Sequence, residues 1–153
     1  MSTRAQQLQT IVGRYQKLNG KSEFLARDVA EWAISQGLWQ EHPSAVLIRC
    51  AEEISRAMRE EYVTDAKGRK VRTKHAVTCT RDGKQLTFWA DMRTAPRQHM
   101  ELAFRQRRQQ ILGDCRQLKT DVDSYNEALN TGAPIQIVFD FMLDLEELEL
   151  AAA

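Results

Sequence analysis

Between Asp65 and Lys74 the chain reads DAKGRKVRTK, which places Lys67, Arg69, Lys70, Arg72 and Lys74 within eight positions. Cations gathered this closely suit a polyanion. Lysine and arginine on a protruding hairpin displace condensed counterions from a duplex, and that release drives salt-dependent binding. Arginine adds bidentate contacts to phosphate or guanine. On a single strand Lys70, Arg72 and Lys74 would point one way, opposite Val71 and Thr73, forming a row. The competing reading is a solvated edge strand that uses lysine against aggregation.

Other chemistry finds little support. The sequence has no Gly-rich phosphate loop, no nucleophile elbow and no close His–acid pair beside a nucleophile. His42, His75 and His99 lack metal-ligand spacing with one another and with Cys50, Cys79 and Cys115. Asp82, Asp91 and Glu101 are the nearest approach to a nuclease acid cluster, but Asp82 suits a turn and Asp91 a cross-strand partner for Lys74. A non-enzyme without cofactor or metal is expected. Three widely spaced cysteines fit reduced thiols. With no long apolar run and no apolar leader at the start, a cytoplasmic protein with no membrane partner is expected.

Charge is unevenly distributed along the 153 residues, although the total is only +1. Residues 1–42 carry five basic and four acidic side chains, 43–110 carry 15 and 8, and 111–153 carry 2 and 9. A basic middle and an acidic end speak of partners rather than of fold.

The elements that must position these residues follow from periodicity. Leu8, Ile11, Val12, Tyr15 and Leu18 predict a helix over 3–18, stopped by Asn19-Gly20. Ser22 is a suitable N-cap for a second helix over 23–36, with Phe24, Leu25, Val29, Trp32 and Ala33 inward. A third opens at Pro43 or Ser44 and reaches Glu61, with Val46, Leu47, Cys50, Ile54, Ala57 and Met58 as its apolar stripe. The period then shortens to two. Gly68 and Asp82-Gly83 predict two tight hairpins in a three-stranded meander over 61–93. Centring the second turn on Asp82-Gly83 pairs Cys79 with Leu86, Val77 with Phe88, His75 with Ala90 and Thr73 with Met92. The opposite face then pairs Thr78 with Thr87, Ala76 with Trp89 and Lys74 with Asp91.

Pro96 opens a long helix over 96–130. Its stripe of Phe104, Ile111, Cys115, Leu118, Val122, Tyr125 and Leu129 takes on a coiled-coil rhythm from Ile111 onward, and predicts a homodimer seam. Packing of this stripe on the first helix is the alternative. Arg105, Arg107 and Arg108 extend the basic surface. The expected organisation is α+β and mostly helical: 1–95, a long helix 96–130, and an acidic apolar tail 131–153.

Three helices followed by a basic antiparallel hairpin resemble the winged helix-turn-helix family over residues 3–93. The resemblance implies duplex DNA as partner, with helix 43–61 in the major groove and the hairpin as wing. Carried onto this chain, it makes Ser44, Arg49, Arg56 and Arg59 reading contacts, and Lys67, Arg69, Lys70 and Arg72 wing contacts. Lys74 continues the basic row. The LWQEHPS link is longer than the family's usual turn, and Glu52, Glu53, Glu60 and Glu61 would repel phosphate if they faced it. In the tail, QIVFDF resembles the hexapeptide by which bacterial proteins dock on a sliding clamp, with Gln136, Phe139 and Phe141 as hook and anchors; Phe139 stands where leucine is usual. A final strand, or a tail folded on the core, is the alternative, and its acidic end could mask the wing. The expected function is a non-catalytic DNA-binding protein: a transcriptional regulator, or an accessory factor of replication or a mobile element. The rival is a coiled-coil adaptor contacting only proteins.

Overall fold

Thr3 starts the first helix with a reciprocal cap: its hydroxyl accepts the Gln6 amide hydrogen, and the Gln6 side chain accepts from the Thr3 amide. The computed structural model describes residues 1–20 and 22–152. Helix α1 (Arg4–Asn19) ends at Gly20, and α2 spans Ala26–Ser35. The second helix starts later than the sequence predicts, with Leu25 rather than Ser22 at its cap. Phe24 stays outside the helix, where its ring lies 6.4 Å from that of Tyr15, and Tyr15 in turn meets Trp32 at 5.7 Å. Val29 and Ala33 are buried. These two helices belong to a compact unit, Met1–Ser55; a second unit comprises Arg56–Ala153.

Helix α3 (Ala45–Arg59) runs from the first unit into the second and buries none of its residues. Its expected inward stripe is open, with Val46 77% exposed.

In the second unit the expected meander resolves into two ladders. Strands β1 (Tyr62–Thr64) and β2 (Lys70–Arg72) form one antiparallel pair, and β3 (Lys74–Arg81) with β4 (Lys84–Asp91) forms another. Thr73 is the reason. Its N–H donates to the Glu61 carbonyl at 3.0 Å and its C=O accepts from Met92 at 2.8 Å, so the chain changes partner at this residue. The side chain is fully buried, and its hydroxyl has no partner. Register along β3–β4 is that read from the sequence, from Lys74 opposite Asp91 to Arg81 opposite Lys84. Asp82 and Gly83 both have positive φ (51° and 75°), as a two-residue turn with the twist of its strands requires.

Helix α4 (Arg97–Ala128) has 32 residues, which at 1.5 Å per residue gives about 48 Å. Its first part packs on β3: Ala103 is buried, His99 Nε2 donates to the His75 carbonyl at 2.9 Å, and Phe104 meets the His75 ring edge-on at 5.3 Å. Gln106 Oε1 accepts from the Thr78 amide, and Gln106 Nε2 donates to the Thr78 carbonyl, both at 2.8 Å. Gly113, near the middle, has open space where a Cβ would stand.

After α4 an amide cluster turns the chain. Asn130 Nδ2 donates to Asn126 Oδ1 and to the Ala133 carbonyl, each at 2.9 Å, while Asn130 Oδ1 accepts from Gly132. Asn126 then holds both backbone groups of Ile135, donating to its carbonyl at 2.8 Å and accepting from its amide at 3.0 Å. The segment 133–141 joins no ladder, so the final strand is not formed. Asp140 Oδ1 accepts from Met142 at 3.2 Å, where a last helix, α5 (Met142–Ala152), begins. Ala151 and Ala152 complete that helix; Ala153 lies outside the described residues.

Candidate nucleic-acid interface

The face of the β3–β4 hairpin that carries Ala76, Thr78, Thr87 and Trp89 forms one wall of a concavity of about 380 Å³, and α4 forms another. Arg59 from α3, Arg72 from β2, Lys74 from β3 and Arg107 from α4 all line it. Four elements thus bring four cations to one hollow, Arg72 and Lys74 from neighbouring strands and Arg59 and Arg107 from helices further off in sequence. Gln106, bonded to Thr78, fixes the helix against the strand and so sets Arg107 one residue further on. The Arg59 guanidinium sits 5.4 Å from the Trp89 ring centroid, within cation–π range. The Thr78 and Thr87 hydroxyls lie 3.0 Å apart. Asp114 is the one acidic lining residue.

The four cations are not equivalent. Lys74 Nζ lies 3.1 Å from Glu61 and 3.4 Å from Asp91. The hydrogen bond to Glu61 leads the effects that raise its pKa above the ordinary lysine value. Asp91 is held chiefly by Arg93, 2.8 Å away, whose side chain and amide, with Lys74, keep the carboxyl far below the usual aspartate range. Lys74 is therefore committed to a charge cluster where the two ladders meet. Arg59, Arg72 and Arg107 have no carboxylate within ion-pair distance among the described residues. Their donors are available to an anion.

At the tip of the first hairpin, Asp65 accepts from the Lys67 and Arg69 amides at 3.0 and 2.9 Å, and from Arg69 Nε at 2.8 Å. The Arg69 amide bond is the main cause of its lowered pKa. Arg69 is thus a clamp on its own turn, while Lys67 has no ion pair among the described residues. Lys70 lies 5.9 Å from the Tyr62 ring centroid and, with Arg72 and Arg107, lines a neighbouring hollow that also includes Phe104. The bend at Thr73 ends the straight row of Lys70, Arg72 and Lys74, because Lys74 belongs to the other ladder.

The remaining predicted contacts are not among the residues that line this hollow. In the first unit, the Ser44 hydroxyl lies 2.8 Å from His42 Nδ1 and Arg49 pairs with Glu41. In the second, Arg56, Arg105 and Arg108 are exposed but do not line the concavity. Thr78, Thr87, Trp89, Gln106 and Gln110, which do line it, were not singled out as contacts from sequence. The register read from the sequence already places Thr87 and Trp89 on the Lys74 face; the α4 residues needed the helix docking. Along α4, Cys115 and Val122 are half-buried, while Ile111, Leu118, Tyr125 and Leu129 are exposed. In the tail Gln136 is exposed, Phe139 is half-buried, and the Phe141 ring lies 6.5 Å from it. Among the described residues no His, Cys, Asp and Glu cluster suits a metal ion, and no helix is long and apolar enough to cross a membrane. The chain matches no family model, and neither a curated protein nor a solved structure matches it.

Proposed function

We propose that the protein binds duplex DNA without catalysing a reaction on it, seating the phosphate backbone on the basic concavity of the second unit. The observation that carries this reading is the convergence of Arg59, Arg72 and Arg107, none of them ion-paired among the described residues, on one hollow. Planar guanidiniums suit phosphate oxygens, and the side-chain amides of Gln106 and Gln110 add neutral polar groups beside them. Lys67 and Lys70, on the first hairpin, extend the positive field in the role of a wing. The order of three helices followed by hairpins supports a winged helix-turn-helix reading, and with it a role in regulating transcription or assisting replication or a mobile element.

The test is a titration of random duplex at two salt concentrations. Each phosphate contact contributes roughly 0.9 to the slope of log affinity against log salt, so Arg59→Ala, Arg72→Ala and Arg107→Ala together should flatten it by nearly 3. An unchanged slope in the folded triple variant would remove the concavity from the interface. A second reading, an adaptor that contacts only proteins, is favoured by the exposed apolar side chains of α4 and the tail. It predicts no duplex binding at low salt.

A further inference from the structure

A second hollow, of about 410 Å³, adjoins the basic concavity. Arg72, His75 and Arg107 line both, so they form the divide between the two. That divide is held in place from two sides. His75 Nε2 donates to the Arg72 carbonyl at 2.8 Å, and Gln106, the neighbour of Arg107, is bonded to Thr78. Each hollow also pairs an aromatic ring with a cation. In the first, the Arg59 guanidinium lies 5.4 Å from the ring centroid of the half-buried Trp89. In the second, Lys70 lies 5.9 Å from that of Tyr62, whose residue is 46% exposed. Phe104, 51% exposed, is a further ring there. Duplex binding through phosphates uses the cations of this surface but leaves its rings without a task, because bases inside a duplex cover one another's faces.

Taking the DNA-binding reading of this face as the premise, we infer that the two hollows hold successive unpaired nucleotides of single-stranded DNA, with the phosphate between them on Arg72 and Arg107. The order of ring-bearing hollow, cationic divide and ring-bearing hollow matches the order of base, phosphate and base along one strand. Both volumes lie within the roughly 300–1,000 Å³ of small-ligand sites, and a lone phosphate would leave most of either hollow empty. Single strands are held by this combination: cations track the backbone while aromatic side chains stack the bases. Arg72 and Arg107 have no carboxylate within ion-pair distance among the described residues, so both are free for the bridging phosphate. A duplex that carries a single-stranded overhang therefore suits this surface better than a blunt one.

Fluorescence anisotropy of the full chain with labelled DNA, at one fixed salt concentration, tests this. The probes are a blunt duplex, the same duplex with a short thymidine overhang, the same overhang built from abasic residues, and oligothymidine alone. The abasic overhang keeps the phosphates and lacks the bases, so the thymidine overhang should bind about tenfold tighter than it. Tyr62→Ala and Trp89→Leu should each weaken binding of the thymidine overhang about fivefold or more and narrow its advantage over the abasic one. Circular dichroism checks their folding; if Trp89→Leu unfolds the chain, Tyr62→Ala, at an exposed strand position, carries the same expectation. Equal affinity for thymidine and abasic overhangs, or folded variants that keep the full advantage, would overturn the inference, and blunt-duplex binding would still support the DNA interface. No binding to any of the four probes would overturn both. Binding of oligothymidine with none to the blunt duplex would uphold the inference and remove the duplex reading.

Discussion

Gln106 pairs with Thr78 as a neighbouring strand would. Its side-chain oxygen takes the Thr78 N–H and its nitrogen gives to the Thr78 carbonyl, both at 2.8 Å. Strand β3, with β4 on one side, thus has part of its other edge closed by a helix side chain. The same contact sets the register between α4 and the hairpin that builds the basic concavity.

Removing that amide should cost stability. Gln106→Ala leaves two part-buried backbone groups without their partner, which is worth about 1–3 kcal/mol. Gln106→Glu should be no better at neutral pH, because a carboxylate keeps the acceptor but faces the Thr78 carbonyl with a second oxygen. Urea unfolding of the two variants measures this; wild-type stability in Gln106→Ala would show the contact to be dispensable.

The charge cluster of Glu61, Lys74, Asp91 and Arg93 makes stability depend on pH at both extremes. The Asp91 pKa is depressed from the ordinary 3.8. Its contribution is therefore present above that value and lost as pH falls through the lower folded one. The Lys74 pKa is raised from 10.5, so its contribution is complete below that value and lost as pH rises through the higher folded one. Asp91→Asn should differ from wild type in melting temperature near neutrality, and the gap should shrink on acidification below 3.8. A gap independent of pH would contradict this account.

Asp65 fastens the tip of the first hairpin by three hydrogen bonds. Asp65→Ala should speed hydrogen exchange at the Lys67 and Arg69 amides severalfold while leaving exchange across β3–β4 unchanged. Arg69→Ala should lower duplex affinity less than Arg72→Ala, since Arg69 is already paired. Equal losses in binding titrations would place the tip in direct contact with the ligand.

Trp89, beneath Arg59, is a built-in reporter. In a chain with Trp32→Phe and Trp39→Phe, its emission should change saturably on adding duplex, and the change should reverse on adding salt. Emission that stays constant while binding is seen by another method would put the ligand elsewhere.

Thr73 offers a test of the corner between the ladders. Its buried hydroxyl lacks a partner, and valine has nearly the same shape without the polar atom. Thr73→Val should stabilise the chain by about 1 kcal/mol in urea unfolding, because an unsatisfied buried group is removed. Destabilisation would mean that the hydroxyl is satisfied in solution.

Much of this architecture was legible in local sequence. The β3–β4 register followed from Asp82-Gly83 and the two-residue alternation around it, because a turn and a pleat are short-range devices. The C-terminal end of α1 followed equally well from Asn19-Gly20. The break at Thr73 did not, since KVRTKHAV reads as one strand and the switch depends on Glu61 and Met92, distant in sequence. The tail misled for another reason: alternation through IQIVFDF suggests a strand, but a strand needs a ladder partner, and Asn126 supplies side-chain amides instead. The candidate site was half visible. Its cations were conspicuous, but which of them are already neutralised depends on where Asp65, Asp91 and Glu61 lie in space.

Gly113 gives α4 a consequence for cooperativity. The glycine separates the turns docked on β3, through His99, Ala103 and Gln106, from the turns that hold the segment 133–141 through Asn126. With roughly 1 kcal/mol less helix preference than alanine there, the rod divides into two folding units of unequal protection. In the free chain the distal turns, from Asp114 to Ala128, should open to hydrogen exchange in sub-global events that leave the proximal turns closed. Filling the open space with Gly113→Ala would weld the two units into one.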